Sequence, residues 1–381
     1  RVFFDLAGKP YTTYAGDEQY LYQVFLIGMT GPHGALDVSD LRIGETALSE
    51  YDDVQTEMTV GALPTLFPAN VDTVAGGVLT AADGPITRTT GADCTRIEID
   101  IVATAFEARD DGSIGGHLVT FTAQYRPSGS AAPWTTLGDG STSGNKTQPV
   151  RLTYGAAVPA GTYDVRVQRT SADATSDRIT ADLQWSALKS YQPDDGYYAS
   201  QQFLAVRIRA TGQLNGVIDR LNGIVRMPTA PGVYSSNPAD LFRLFAVGHQ
   251  SPTGRALWGG QLSPSDVDAA GLEAWAGFCT AKGLSFNAVI DAQRSVWDVL
   301  QGIARCGRGS PTWATGKLGV VWDAEGQPVV AHYGMANIRR GSFQIEYQSE
   351  DPVDEVVLNY IDAANGYQPD EVRAVAPGVL M

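Results

Sequence analysis

A mainly β chain with a small α-containing segment, of the α+β class, is what the sequence predicts, and three observations carry that expectation. Apolar residues alternate with polar ones at a period of two over many short stretches, as strands with one buried face require. Turn formers are abundant, with 42 Gly and 20 Pro, and they punctuate those stretches at short intervals. Helical spacing recurs only between residues 235 and 310. With 381 residues, 43% of them hydrophobic, the chain is long enough for two or three domains with real cores.

Residues 1–93 read as a first β-rich unit. Tyr20–Ile27 is a buried strand that breaks at Gly28, Gly31 and Gly34. Glycines at every third position are similar to a phosphate loop, but a dinucleotide site needs a helix opening directly after them. Here Leu41–Thr46 continues as strand and turn, so a hairpin-like connection is expected. Residues 94–190 predict a β-sandwich. Ile97, Ile99 and Ile101 alternate with Arg96, Glu98 and Asp100, and the same pattern recurs at Val119, Phe121, Ala123 and Tyr125. Tyr163, Val165 and Val167, then Ile179, Ala181, Leu183 and Trp185, supply two more strands, a spacing typical of a sandwich of about 100 residues.

Residues 191–234 open with another strand, in which Leu204, Val206 and Ile208 alternate with Ala205, Arg207 and Arg209. From Leu214 the pattern is double. Leu214, Val217, Ile218, Leu221 and Val225 fit a helical stripe, whereas Val217, Leu221 and Val225 also fit a strand with a bulge at Asn222-Gly223. Residues 235–310 are the helical segment, entered through Ser235-Ser236-Asn237-Pro238. Leu272, Trp275, Ala276 and Cys279 stand at i, i+3, i+4 and i+7 and end at Gly283, a natural C′ residue. Val296, Val299, Leu300 and Ile303 make a second stripe with Ser295 and Asp298 in capping spacing and Gly307 at its end. Residues 311–365 return to strands at Lys317–Trp322, Phe343–Tyr347 and Val353–Tyr360. The polar stretch 366–381 reads as a connection to further chain, and the Arg at position 1 as a start from which preceding residues have been cut. The strands of 1–92 lack partners, as do those of 195–226 and 343–361. They are expected to pair with one another across the sandwich, whose two ends must then lie close together.

Chemistry is hard to find in this sequence. A formal charge of −15 repels a phosphate backbone, so nucleic acid would pass the chain and not be gripped. Cys94, Cys279 and Cys306 are too few and too scattered for a disulfide framework or a zinc ribbon and read as small buried apolar residues. No Cys-x-x-Cys, His-x-x-x-His or EF-hand spacing occurs, so neither a metal nor any other cofactor is expected. His33, His117, His249 and His332 sit at turns or strand ends, away from any Ser or Cys at a strand-to-helix elbow. Gly140–Gly144 mimics such an elbow but has Thr142 at its centre. The carboxylate pairs Asp52/Asp53, Asp110/Asp111, Asp194/Asp195 and Glu350/Asp351 read as solvated turns, not as a hydrolase pair set across a cleft. Asn145-Lys146-Thr147 fits a glycosylation sequon, a permissive triplet. Trp185, Trp275, Trp297 and Trp322 read as core residues, and Trp134, in a loop after Pro133, is the one candidate sugar-stacking platform. No stretch is apolar enough to span a membrane.

The order of weak signatures along the chain is more telling than any one site. Gly28 and Gly31 within Leu26–Pro32, Leu41–Leu48, Gly84–Arg88, Tyr163–Thr170 and Leu183-Gln184-Trp185-Ser186 occur in one sequence. They continue through Leu204–Ile208, Asn237-Pro238-Ala239, Asp266–Asp268, Phe278-Cys279, Phe286-Asn287, Val296-Trp297-Asp298 and Val356–Asp362, which includes Asn359. In this order the chain resembles the N-terminal hub portion of the tail-tip protein J family, the host-specificity proteins of lambda-like long-tailed phages. The resemblance implies a multidomain tail hub in which 94–190 is an inserted fibronectin- or immunoglobulin-like sandwich. It implies structural roles for Gly28, Gly31, Trp185, Asn237, Pro238, Trp297, Asn359 and Asp362, and two strands joined by a turn at Gly212 over 201–226. It further implies a virion component made in the host cytoplasm, a homotrimer around the tail axis that meets the tail tube, other tip proteins and the tape-measure protein, and a channel through which DNA passes unbound. The fibre-like region of that family that would meet a receptor lies outside this sequence. A tail-associated peptidoglycan or polysaccharide hydrolase and a carbohydrate-binding sandwich are the alternatives. The first would need converging carboxylates, and the second an exposed Trp134.

Overall fold

A computed structural model describes the chain except for residues 16–17, 68–69, 145, 211–217, 219, 315, 327–328, 330, 346–352 and 377–381. Two compact units form, Val2–Val320 and, separately, Val321–Met381 with Arg1.

The first unit begins with β1 (Val2–Phe3), β2 (Asp5–Leu6), β3 (Tyr11–Ala15), β4 (Glu18–Met29), β5 (Asp37–Ile43), β6 (Thr46–Ala47) and β7 (Val54–Gly61). The sandwich follows as β8 (Asn70–Val78), β9 (Ile86–Thr89), β10 (Cys94–Ala108), β11 (Ile114–Pro127), β12 (Thr135–Gly144), β13 (Val150–Gly161), β14 (Tyr163–Arg169) and β15 (Ile179–Gln192). The chain then returns through β16 (Tyr198–Arg209) and β17 (Leu221–Arg226).

The early strands complete their sheets with these late ones. β16 lies between β4 and β7, and β17 lies between β1 and β5. The two sheets form a base whose core holds Leu21, Phe25, Leu204, Val206, Ile208 and Leu221. Two fully buried glutamines finish it. Gln202 accepts from the Leu36 N–H at 2.7 Å and donates to the Leu36 carbonyl at 3.0 Å, and Gln23 makes the same pair of bonds to Ile218. Each amide serves a stretch of backbone that no neighbouring strand reaches. The strand reading of Leu221–Val225 is the one adopted, with the register shifting between Asn222 and Ile224. Leu214, Val217 and the Gly212 turn lie outside the described residues.

In the sandwich, β8, β15, β10 and β13 pair as one layer and β12, β11, β14 and β9 as the other, joined where the ends of β10 and β11 pair. The inward residues match the alternation, with Ile97, Ile99, Ile101, Val119, Phe121, Val165, Leu183 and Trp185 all in the shared core. Tyr163 donates its hydroxyl to the Pro159 carbonyl at 2.6 Å, the corner contact common in such sandwiches. The layers begin before Cys94, because β8 and β9 complete them. Only Val71 and Gly76 of β8 are buried, so this strand carries no apolar period. Gly76 is required there, since an added methyl would overlap the Trp185 carbonyl and indole. Entry and exit are neighbours: Asn70 pairs with Gln192, and Gly91 N–H donates to Ser190 Oγ.

Beyond β17 the helical segment holds α1 (Pro238–Val247), α2 (Ala269–Lys282) and α3 (Val296–Cys306). Gly283 adopts the left-handed C-cap conformation, and Ser295 accepts from the Asp298 N–H, both as the spacing predicts. Val299, Leu300 and Ile303 turn inward. Trp297 and Val296 are instead exposed on α3, because the first turn precedes the buried stripe. Cys306, at the far end of that helix, is exposed also, while Cys94 and Cys279 are buried. β18 (Gly309–Ala314) and β19 (Lys317–Trp322) form a following hairpin.

In the second unit, β20 (Glu355–Asp362) pairs with β21 (Gln368–Val375) as a hairpin. Its partner strand comes from the stretch the sequence reads as a mere connection, and among the described residues that strand, not one of the base, is the one paired with 355–362, where the sequence led us to expect a base strand. Phe343–Ile345 is not a strand, and Glu346 and Tyr347 lie outside the described residues.

Candidate functional site

The side chains with the chemistry of a reactive site are dispersed over the fold. Among the described residues, no cluster of three or more His, Cys, Asp or Glu could hold a metal. Asp52 pairs with Arg209 at 2.8 Å, Asp53 accepts from Tyr20 at 2.6 Å, Asp110 pairs with Arg178, and Asp194 accepts from Tyr198. Each of these carboxylates is engaged locally, and Glu350/Asp351 lies outside the described residues. Thr142 sits within β12 opposite Val119, on a strand and not at an elbow. Asn145 is outside the described residues. One pairing escaped the sequence: Ser200, at a φ of 63°, lies with its Oγ 3.3 Å from His249 Nε2. Burial holds the His249 imidazole below its usual pKa, which suits a neutral base. Yet among the described residues no carboxylate bonds the imidazole, and a nucleophile needs that third, orienting group.

Trp134 is half-buried and already used. The guanidinium carbons of Arg126 and Arg166 lie 4.4 and 4.2 Å from its ring centre, a cation–π arrangement that competes with sugar stacking for the same π-face.

The family-pattern residues are positioned for packing and capping. Gly28 in β4 faces Leu36, and Gly31 and Gly34 exchange backbone hydrogen bonds of 3.3 Å in a tight connection. Trp185 fills the sandwich core. Asn237 caps α1 by accepting from Ala239 N–H, with Pro238 at the first helical position, and its amide donates to the Ala276 carbonyl of α2. Asn359 and Asp362 lie on β20, where Asp362 accepts from the Ala364 N–H. Trp297 is the exception, exposed on the first turn of α3.

The most elaborate polar arrangement was missed altogether. Glu98 and Asp100 alternate with the core isoleucines and read as a solvent face, but both are buried, as is Lys189. Their side of the sandwich is covered by β3 and β4. Lys189 Nζ lies 3.2 Å from Glu98 Oε2, 3.0 Å from Asp100 Oδ1 and 2.7 Å from the Thr12 carbonyl of β3. Cross-strand register brings these groups together, since Lys189 stands opposite Glu98, and Thr153 opposite Asp100. Arg96 and the Tyr191 hydroxyl also bond Glu98. Thr153 donates to Asp100 at 2.6 Å and accepts from the Tyr14 N–H at 3.0 Å. Burial pushes the Asp100 carboxyl up, against the pull of Lys189 and Thr153. Beside this cluster, Tyr11, Val24, Phe67, Val71, Tyr191 and Phe203 form an apolar seam shared by sandwich and base.

The comparisons with known proteins match two stretches of the chain. Residues 70–194 match the family described as "Tip attachment protein J, FNIII-A domain", and residues 295–379 match the family described as "Putative phage tail protein". The chain is a phage tail protein that carries an FNIII-A domain of the protein J type. The match begins at the first residue of β8 and ends two residues past β15, so the sandwich of this tail protein is its fibronectin type III module. The second match starts at Ser295, the residue that caps α3. Two solved structures are similar more distantly. The receptor-binding domain of the spike protein P1 from bacteriophage PM2 is 9% identical, over 35% of this chain and 93% of that one, with a TM-score of 0.19. Its stem and receptor-binding domain together are 9% identical, over 40% and 67% of the two chains, with a TM-score of 0.19. Likenesses this slight fix nothing about the fold or role of the tail protein.

Proposed function

We propose that this tail protein is the central hub of the tip of a long, flexible tail. Three copies would surround the tail axis, joining the tail tube and the other tip proteins above to distal fibres below, and enclosing the channel vacated by the tape-measure protein. The observation that carries this reading is the presence in one chain of a tip-attachment module and a second tail-protein region, built on a base that embraces the module from both sides in sequence. Cyclic closure is the way one chain type encloses an axial channel. A net charge of −15 suits a passage for a polyanion, which an acidic lumen does not retain. DNA would therefore pass without specific contacts. A side- and end-view electron-microscopy reconstruction of the parent particle tests the reading. Three copies of this chain around the axis are expected, and a single off-axis copy would refute it.

A further inference from the structure

An inserted module can swing on its two connections or be keyed to one pose, and the seam between sandwich and base decides which. Its apolar part, with Tyr11 stacked on Tyr22 at 4.9 Å and edge-on to Tyr191 at 5.6 Å, is favourable but weakly directional, so it tolerates sliding. The polar part does not. Among the described residues β3 pairs only with β4, which leaves backbone groups on its other edge in need of partners. The sandwich supplies them from side chains: Lys189 takes the Thr12 carbonyl and Thr153 takes the Tyr14 N–H. Thr12 and Tyr14 are alternate residues, so the two ties fall on the same edge of the strand.

The Lys189 ammonium donates to the Thr12 carbonyl and lies within ion-pair distance of Glu98 and Asp100. A slipped but still dry seam would bury the same charges with Thr12 and Tyr14 unpaired. Such a pose is penalised heavily, because a buried charge or polar group without its partners keeps its desolvation cost. Only the observed pose and a fully separated, hydrated one escape that penalty.

We propose that Lys189, with Glu98, Asp100 and Thr153, is a docking key that fixes the sandwich in one orientation on the base, making it a rigid bracket and not a tethered arm that searches for a receptor. The inference concerns the single chain and stands whether or not three copies surround a channel.

Pulsed electron paramagnetic resonance on the full chain tests it, with nitroxides on Thr135→Cys in the sandwich and Glu50→Cys in the base, both exposed sites, and Cys306→Ser to remove the exposed thiol. The parent is expected to give one narrow distance distribution. The discharged variant Lys189→Met/Glu98→Gln/Asp100→Asn, close in size, should give a distribution several-fold broader or split. A broad parent distribution, or parental width in the discharged variant, would overturn the key. Should that variant fail to fold, hydrogen exchange of the Tyr14 amide decides. It should be slow in the parent and about tenfold faster in Thr153→Val, the loss of roughly one hydrogen bond. An unprotected Tyr14 amide in the parent, or no change in Thr153→Val, would overturn the proposal equally.

Discussion

Replacing Gln202 with Leu probes whether the base is held by its buried amides or by apolar contacts alone. The side chain is buried, and it satisfies both backbone groups of Leu36, itself buried. Leucine is of similar size but bonds neither group, so one N–H and one C=O are left dry and unpaired. Each such group costs about 1–3 kcal/mol, or roughly 2–6 for the pair. Burial of an apolar side chain in place of the amide returns about 1.5–3 kcal/mol. At the middle of both ranges the net loss is about 2 kcal/mol, which at about 2–4 °C per kcal/mol lowers the melting temperature by roughly 4–8 °C. Scanning calorimetry should show that drop in the transition of the base, and hydrogen exchange should show the Leu36 amide losing protection. A Gln202→Leu chain that melts within about 1 °C of the parent would refute the reasoning and mean that water or a local shift satisfies Leu36.

Burial pushes the Tyr11 and Tyr191 hydroxyls well above their ordinary pKa, and Tyr198 up to about 12. An unfolded tyrosine ionises near about pH 10, so above that pH the folded chain binds more protons and stability must fall as pH rises. Thermal melts should be level up to about pH 9 and decline beyond about pH 10, and a level profile to higher pH would contradict the buried positions. Gly76→Ala should cost the sandwich about 1–3 kcal/mol by driving a methyl into Trp185, measured as a lower urea midpoint, and an unchanged midpoint would show that β8 can move aside. A short Gly/Ser linker in place of residues 70–192 should leave a soluble, cooperatively melting base, weakened by the loss of Val71 and Tyr191 from the seam. Closure of that linker adds only about 0.6 kcal/mol per doubling of its length, and a base that cannot fold without the sandwich would show that the two are one cooperative unit. Ser200 should stay unlabelled by a fluorophosphonate probe, whereas labelling abolished by Ser200→Ala would make it a nucleophile.

Much of this architecture was written in local pattern. Ile97, Ile99 and Ile101 announce a strand because one face alone meets the sandwich core, and Gly283 and Ser295 mark helix ends because their backbone or side-chain roles are local. The seam was not legible for the opposite reason. Glu98 and Asp100 have the composition of a solvent face, and only the distant β3–β4 hairpin turns that face into an interior. Lys189 comes into register with Glu98 after an irregularity in the pairing of β10 with β15, between Asp100 and Ile101. No short-range signal foretells that contact. β8 stayed hidden because its two buried residues, Val71 and Gly76, stand five apart and so on opposite faces, which leaves no period of two to read. Trp134 looked free because the guanidiniums that cover it come from β11 and β14, more than a loop away.

The pairing of Asn70 with Gln192 has a consequence for how such tail proteins can change over generations. A module whose two ends occupy a single rung of one ladder leaves the flanking strands in the same place whether the module is long, short or replaced by another. Recombination that falls at this rung exchanges the whole sandwich without shifting the register of β4 against β16. What an incoming module must bring is its side of the seam, apolar residues in place of Val71 and Tyr191 and partners for the Thr12 carbonyl and the Tyr14 N–H. Those last two are main-chain groups, which any residue at position 12 and any but proline at position 14 provides, so the receiving half of the joint is there indifferent to sequence drift. The burden of compatibility falls on the donor.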